Sequence, residues 1–202
     1  RRRRAGRAGA SGTSGQQPHR AEAERWLQKA GAAGDQVARE VLHPVNKTGD
    51  EQGCTLDEEG NVATPEGFKN AWDEFCGGGW AAPGAPPELG GAGMPVAMGV
   101  VLQEMFSGAS MAFMMYPGLA SAAARVLHEF GPEKWRDAIG EKMFSGVWGG
   151  TMCLTESGAG SSVGDNRCKA TATGDNGVYL LEGEKIFITG GDHDMVSNIC
   201  HL

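Results

Sequence analysis

No Cys-x-x-Cys pair occurs in the 202 residues, and the five cysteines (Cys54, Cys76, Cys153, Cys168 and Cys200) are scattered and odd in number. That pattern argues against a disulfide framework or a zinc site and reads as reduced thiols in an intracellular compartment. A long apolar run is also missing. The most apolar region, Met94 to Met115, is broken by Gln103 and Glu104 and ends at Pro117. It falls short of the roughly 20 apolar residues that span a bilayer, so no membrane span is expected and the body reads as soluble. Basic residues are scarce beyond the first 20 positions. Those positions hold six arginines and no acid, leaving 12 basic against 25 acidic residues in the rest. A body at −13 repels a phosphate backbone, so nucleic acid is not an expected partner.

Hydrophobic residues at 40% and charged residues at 21% are ordinary for a globular chain with a real core. Glycine is the outlier at 33 residues, where average usage would give about 14. It follows no G-X-Y period, which excludes collagen. The head, with Arg1 to Arg4, Arg7 and Arg20, reads as a solvated tail or as the remnant of an organelle transit peptide. The second reading implies the mitochondrial matrix; otherwise the cytoplasm is expected.

Trp26, Leu27, Ala30, Ala33, Val37, Val41 and Leu42 recur at three- and four-residue steps. This predicts a helix from Ala21 to Leu42, ended by His43-Pro44. Residues 46–63 read as a loop. Thr64 followed by Pro65 predicts a capped helix through about Phe75. Residues 77–95 carry too many breakers for a regular element. Helices are expected again over 96–108, 110–115, 118–130 and 132–144. Short segments rich in Val, Ile, Thr, Tyr and Phe then predict strands at 147–154, 167–173, 178–181 and 184–189, joined as in a hairpin-connected sheet. The fold class is thus α+β: a tail over 1–20, a helical domain over 21–146, and a partial, antiparallel β domain over 147–202.

The densest chemical signal is MCLTESGAGSSVG at 152–164, an apolar segment running into a loop of glycines and hydroxyls. Such a loop lets backbone N–H groups approach a pyrophosphate or a flavin edge, and it also serves as a plain strand connection. Gly158, Gly160 and Gly164 are spaced one residue too long for a dinucleotide-binding fingerprint, and no Walker or Gly-x-Ser-x-Gly pattern occurs. In GEKIFITGG (183–191), a strand would put Phe187 and Thr189 on one face and Ile186 and Ile188 on the other. Asp192-His193-Asp194 lacks further ligands at a metal spacing and reads as a polar loop, so no metal is expected. Met98, Met105, Met111, Met114 and Met115 fit either adaptable core filling or a flexible acyl pocket.

These two segments, in this order and with an α-to-β switch before them, resemble the flavin-binding pair of the acyl-CoA dehydrogenase family. PVNKTGDEQGC (44–54), TPEGF (64–68), GGAGMP (90–95), MAFMMYPGL (111–119) and GGDHDMVSNICHL (190–202) resemble its 3-methylmercaptopropionyl-CoA dehydrogenase branch. The resemblance implies a helical domain, a middle β domain and a C-terminal helical bundle that lies beyond Leu202. It also implies FAD, a homo-oligomer, an acyl-CoA substrate and an electron-transfer flavoprotein as partner. The implied reaction is α,β-desaturation, in which a carboxylate takes the α-proton and the β-hydrogen leaves as hydride to the flavin.

Carried over by position, the resemblance puts Met152, Leu154 and Thr155 along the flavin, and Gly160 and Ser161 near its phosphates, with Ser161 also near the CoA moiety. Phe187 would pack on the ring, with Ile188 and Thr189 beside it. Ser157 replaces a usual Pro and Ser162 a usual Asp. No catalytic residue is assigned: the family's glutamate base belongs to the C-terminal bundle, and neither Glu156 nor Glu184 matches its segment. The expectation is therefore the N-terminal part of an FAD-dependent dehydrogenase, inactive by itself. The alternative is a truncated, non-catalytic relative that serves as a structural or interaction subunit.

Overall fold

The computed structural model describes residues 20–202; the Arg-rich head, apart from Arg20, lies outside them. Six α-helices occupy the first two thirds: α1 (Arg20–Val37), α2 (His43–Gln52), α3 (Phe68–Gly77), α4 (Val96–Ala109), α5 (Met111–Phe130) and α6 (Glu133–Phe144). The strands are short: β1 (Thr55–Leu56), β2 (Val62–Ala63), β3 (Gly149–Thr151), β4 (Lys169–Ala172), β5 (Tyr179–Glu182) and β6 (Ile199–His201).

The core is aromatic and assembled from distant helices. Phe75 of α3 meets Phe106 of α4 edge-on at 5.2 Å and Phe113 of α5 at 5.6 Å. Trp72 lies one helical turn earlier on the same face, and its Nε1 donates to the Gly146 carbonyl at 3.0 Å. These rings are fully buried together with Leu42 and Leu102, and truncating any one of the aromatics costs about 3–5 kcal/mol. A second cluster packs Ala123 and Ala124 of α5 against Met143 and Phe144.

Two prolines expected to break helices do not. The helix runs past His43-Pro44 because residues Ala38–Leu42 form a π-helical turn, in which the His43 N–H donates to the Ala38 carbonyl. The wider turn comes just before the residue that has no N–H to give. Pro117 is buried inside α5, where the apolar face on either side offsets the missing hydrogen bond. Thr64 is not a helix cap. Gly67 holds that position at φ 88°, while the Thr64 N–H and hydroxyl donate to Asp194 Oδ1 at 3.1 and 2.6 Å. Residues 46–52 are helical, and the rest of the expected 46–63 loop carries the β1–β2 hairpin, with Leu56 opposite Val62. A single 3₁₀ turn, Pro87–Leu89, interrupts the glycine- and proline-rich stretch.

In the C-terminal third, β4 and β5 form the expected antiparallel hairpin, Lys169 opposite Glu182. The other pair is parallel: β3 with β6, Gly149 opposite Ile199 and Thr151 opposite His201. Residues 184–189 are not a strand. Their backbone turns at Phe187, whose φ of 57° breaks the extended run.

Candidate functional site

The site is built outward from β3. Its three residues are buried, and Gly150 is pressed on α5: a Cβ there would stand 3.0 Å from the Ala123 Cβ and 3.1 Å from the Ala120 Cα. Beyond Thr151 one further bond, from the Cys153 N–H to the Leu202 carbonyl, continues the pairing, and the side chains on either side of Cys153 turn outward. Met152 is 41% exposed and Leu154 52% exposed.

Glu156 closes the segment. It pairs with Ala159 in a tight two-way turn, N–H to carbonyl at 3.2 and 3.0 Å. Its side chain is nearly buried, at 8% exposure for the residue. The carboxylate accepts from the Arg167 N–H at 2.7 Å, the Cys168 N–H at 2.9 Å and the Lys185 Nζ at 2.9 Å. Lys185 also donates to the Leu154 carbonyl at 3.0 Å, and Asn166 Nδ2 reaches the same oxygen at 3.1 Å. These donors, led by the Arg167 N–H, hold the Glu156 carboxyl down to about 2. The Glu156 carboxylate in turn holds Lys185 above its ordinary value. A carboxylate this well satisfied organises its surroundings and is a poor base.

The two sequence segments therefore meet. The Ile186 N–H donates to the Thr155 carbonyl at 2.9 Å, and the next residue, Phe187, stands 87% exposed in the left-handed region. Ile188 and Thr189 are half-buried. Expecting Phe187 and Thr189 to share a strand face was wrong because no strand forms there. Gly160 and Ser161 are exposed on the far limb of the loop, and a Cβ at Gly160 would meet nothing within 4 Å. The hydroxyls of Thr155, Ser161 and Thr189 have no hydrogen-bond partner among the described residues.

Two features escaped the sequence reading. Glu156 and Lys185 link the segments, 29 positions apart; the only signal is one acid in the first motif and a Glu-Lys pair in the second. His193 was expected in a polar loop and is instead buried, at 6% exposure. Its ring packs on Tyr116 and Trp72 at 4.9 and 6.2 Å between centroids. Among the described residues no group of three His, Cys, Asp or Glu side chains could hold a metal.

The methionines divide. Met98 and Met114 are core, Met105 packs on it, and Met111 and Met115 are exposed. Met114 also borders a groove of about 460 Å³ between α4 and α5, with Met94, Val96, Val100 and Pro117. None of the flavin-candidate residues lines that groove. Among the described residues no helix is long and apolar enough to cross a membrane.

Comparison with known proteins identifies the family that shares this fold and these motifs. Residues 32–147 match the family model described as acyl-CoA dehydrogenase, N-terminal domain. The chain belongs to the acyl-CoA dehydrogenase family.

It is 39% identical over 179 residues to 3-methylmercaptopropionyl-CoA dehydrogenase of Ruegeria pomeroyi, which covers 87% of this chain and 30% of that protein. It is 42% identical over 168 residues to a butyryl-CoA dehydrogenase of Syntrophomonas wolfei, covering 82% and 27%. The chain thus spans less than a third of the length of these relatives. Glutaryl-CoA dehydrogenase from Mycobacterium smegmatis superposes with a TM-score of 0.70 at 21% identity, over 82% of this chain and 40% of that one. Butyryl-CoA dehydrogenase from Megasphaera elsdenii gives 0.67 at 23%, over 82% and 41%. Both share the fold.

Proposed function

We propose that this chain is the N-terminal portion of an FAD-dependent acyl-CoA dehydrogenase that desaturates a short acyl-CoA thioester between Cα and Cβ. One observation carries the reading. The Ile186 N–H to Thr155 carbonyl bond joins two segments that carry exposed Met152, Leu154 and Phe187 together with the Thr155 and Thr189 hydroxyls, unpartnered among the described residues. The junction so offers apolar and polar contacts to a flat ring with an apolar body and polar edges. Thr155 and Thr189 are the edge donors, Phe187 with Ile188 the face, and Gly160 with Ser161 the approach for phosphates and CoA. FAD, when bound, supplies the hydride acceptor. What these residues do is bind and orient it and cover it from water.

The short-chain assignment rests on the relatives named for butyryl and 3-methylmercaptopropionyl thioesters. Electron delivery to an electron-transfer flavoprotein, assembly as a homo-oligomer, and residence in the mitochondrial matrix or cytoplasm come with the same reading. So does the partition into a helical domain over 21–146 and a β domain from 147. None of the described residues is assigned as the catalytic base.

The test is to purify the full-length protein, record its flavin absorbance, and follow bleaching of that absorbance on adding butyryl-CoA or 3-methylmercaptopropionyl-CoA. A yellow protein bleached by one of them supports the assignment. A colourless full-length protein that does not take up added FAD overturns it. A 202-residue product that is complete in its native source and copurifies stoichiometrically with another protein would favour the structural-subunit alternative.

A further inference from the structure

We infer that Glu156 and Lys185 are positioning residues for the cofactor surface, a partly buried clamp that sets where Phe187 stands relative to Leu154 and Thr155. The inference rests on the flavin reading of this site and goes beyond it by naming what holds the two halves in register. The argument is geometric. The two halves are joined by a single backbone bond, Ile186 N–H to the Thr155 carbonyl at 2.9 Å. Little sheet pairing holds either half: past the end of β3 only the Cys153 N–H to Leu202 carbonyl bond continues the pairing with the β6 side, and 184–189 form no strand.

What else ties the two halves to each other is the side-chain network. Lys185 bridges the Leu154 carbonyl and the Glu156 carboxylate from one side. Glu156 in turn gathers the Arg167 and Cys168 N–H groups from the other. One carboxylate therefore joins three stretches of chain, 154–156, 166–168 and 185–186. The pair is shielded: the side chains are 9% and 23% exposed for Glu156 and Lys185. Its geometry is thus less eroded by solvent than that of the open helical pairs Lys47–Glu51 and Lys69–Asp73, at 3.6 and 3.7 Å.

Charge matters to this clamp as well as shape. The carboxylate accepts from at least three donors and gives none, so only its ionised form satisfies them all. Glu156→Gln turns one acceptor into an N–H that faces another N–H. Lys185→Met leaves both backbone donors satisfied but cuts the link to 185–186. Lys185→Arg keeps the charge. The titratable groups facing Glu156 are Lys185 and the Cys168 thiol. Lys185 lowers the Glu156 pKa, so its removal raises it, and the pH at which the clamp opens moves up.

The experiment uses full-length protein. It measures the dissociation constant of FAD from pH 8 down to the acid range, with amide hydrogen exchange at 154–168 and 186. Relative to wild type, Glu156→Gln is expected to weaken FAD binding about tenfold or more, the scale of one lost charge-assisted hydrogen bond. Exchange of the Arg167 and Cys168 amides should quicken. Lys185→Met should shift acid release of FAD to higher pH, and Lys185→Arg should restore it. If Glu156→Gln does not fold, the two lysine variants carry the test. Wild-type FAD binding in Lys185→Met at every pH, with unchanged exchange at Ile186, overturns the clamp. Should the wild-type protein bind no FAD, the site reading falls instead; that is distinct from Thr155→Val losing FAD while the clamp variants keep it.

Discussion

The imidazole of His193 stands edge-on to the Tyr116 ring, 4.9 Å between centroids and at 77°. This contact joins the segment leading to β6 to the N-terminal half of α5. A Cβ on Gly149 would come 3.3 Å from the His193 Nε2, and one on Gly190 3.2 Å from the Tyr116 Cδ1. The imidazole is wedged where helices and strands meet, and its Nδ1 has no partner among the described residues.

Burial pushes the His193 pKa below its ordinary value of 6.5, against the opposing pull of Asp194 and Asp192. The folded state thus binds fewer protons at this site than the unfolded state does. Its contribution to stability is complete above about 6.5, the unfolded value, and is lost as pH falls from there toward the folded value. The melting temperature should therefore drop on acidification through that window. His193→Phe, which keeps the ring and removes the titration, should flatten the drop. An identical slope in both proteins would show that other groups carry it.

Gly150 and Gly160 sit ten residues apart and make opposite predictions. At Gly150 an added Cβ meets Met143 Cε at 2.6 Å, a flexible tip, and also the less yielding Ala123 and Ala120 of α5. Gly150→Ala should destabilise by about 1–3 kcal/mol in denaturant titration, as overpacking does. Gly160→Ala has open space and an ordinary backbone, so stability should stay within about 0.5 kcal/mol of wild type.

Trp72 carries a prediction that separates packing from hydrogen bonding. Trp72→Phe keeps an aromatic beside Phe113, whose ring lies 6.1 Å away, but leaves the Gly146 carbonyl without its donor. A loss of about 1–3 kcal/mol is expected from the orphaned acceptor and the vacated volume. Trp72→Ala should lose about 3–5 kcal/mol. Equal midpoints for wild type and Trp72→Phe would mean the Nε1 bond contributes nothing net.

How far these sites can be read from sequence depends on whether the cause is local. The aromatic face of α3 is legible, because Phe68, Trp72 and Phe75 repeat at helical spacing. The loop at 152–164 and its partner at 183–191 are legible as motifs. Pro44 and Pro117 mislead because a π turn and a buried helix face, neither visible in local pattern, override the usual break. The strand expected at 184–189 fails for a tertiary reason: the Ile186 N–H goes to the Thr155 carbonyl, and the backbone turns at Phe187. His193 looks polar between two aspartates, yet Trp72 and Tyr116, distant in sequence, bury it.

Phe187 gives the sharpest separation of function from stability. A non-glycine residue at φ 57° is strained by about 1–2 kcal/mol, and the side chain is 87% exposed, so almost no burial offsets the cost. On stability grounds glycine suits this position better. Phe187→Gly relieves the strain, and the added freedom of the unfolded chain takes back about 0.5–1 kcal/mol. Stability should then be unchanged or slightly higher. If the exposed ring exists to cover a flavin, the same change weakens FAD binding about tenfold, the scale of a lost aromatic contact together with its buried area. Melting temperature and FAD affinity should therefore move apart in this one variant. A parallel fall in both would make Phe187 a structural residue, and unchanged FAD affinity would remove it from the cofactor surface.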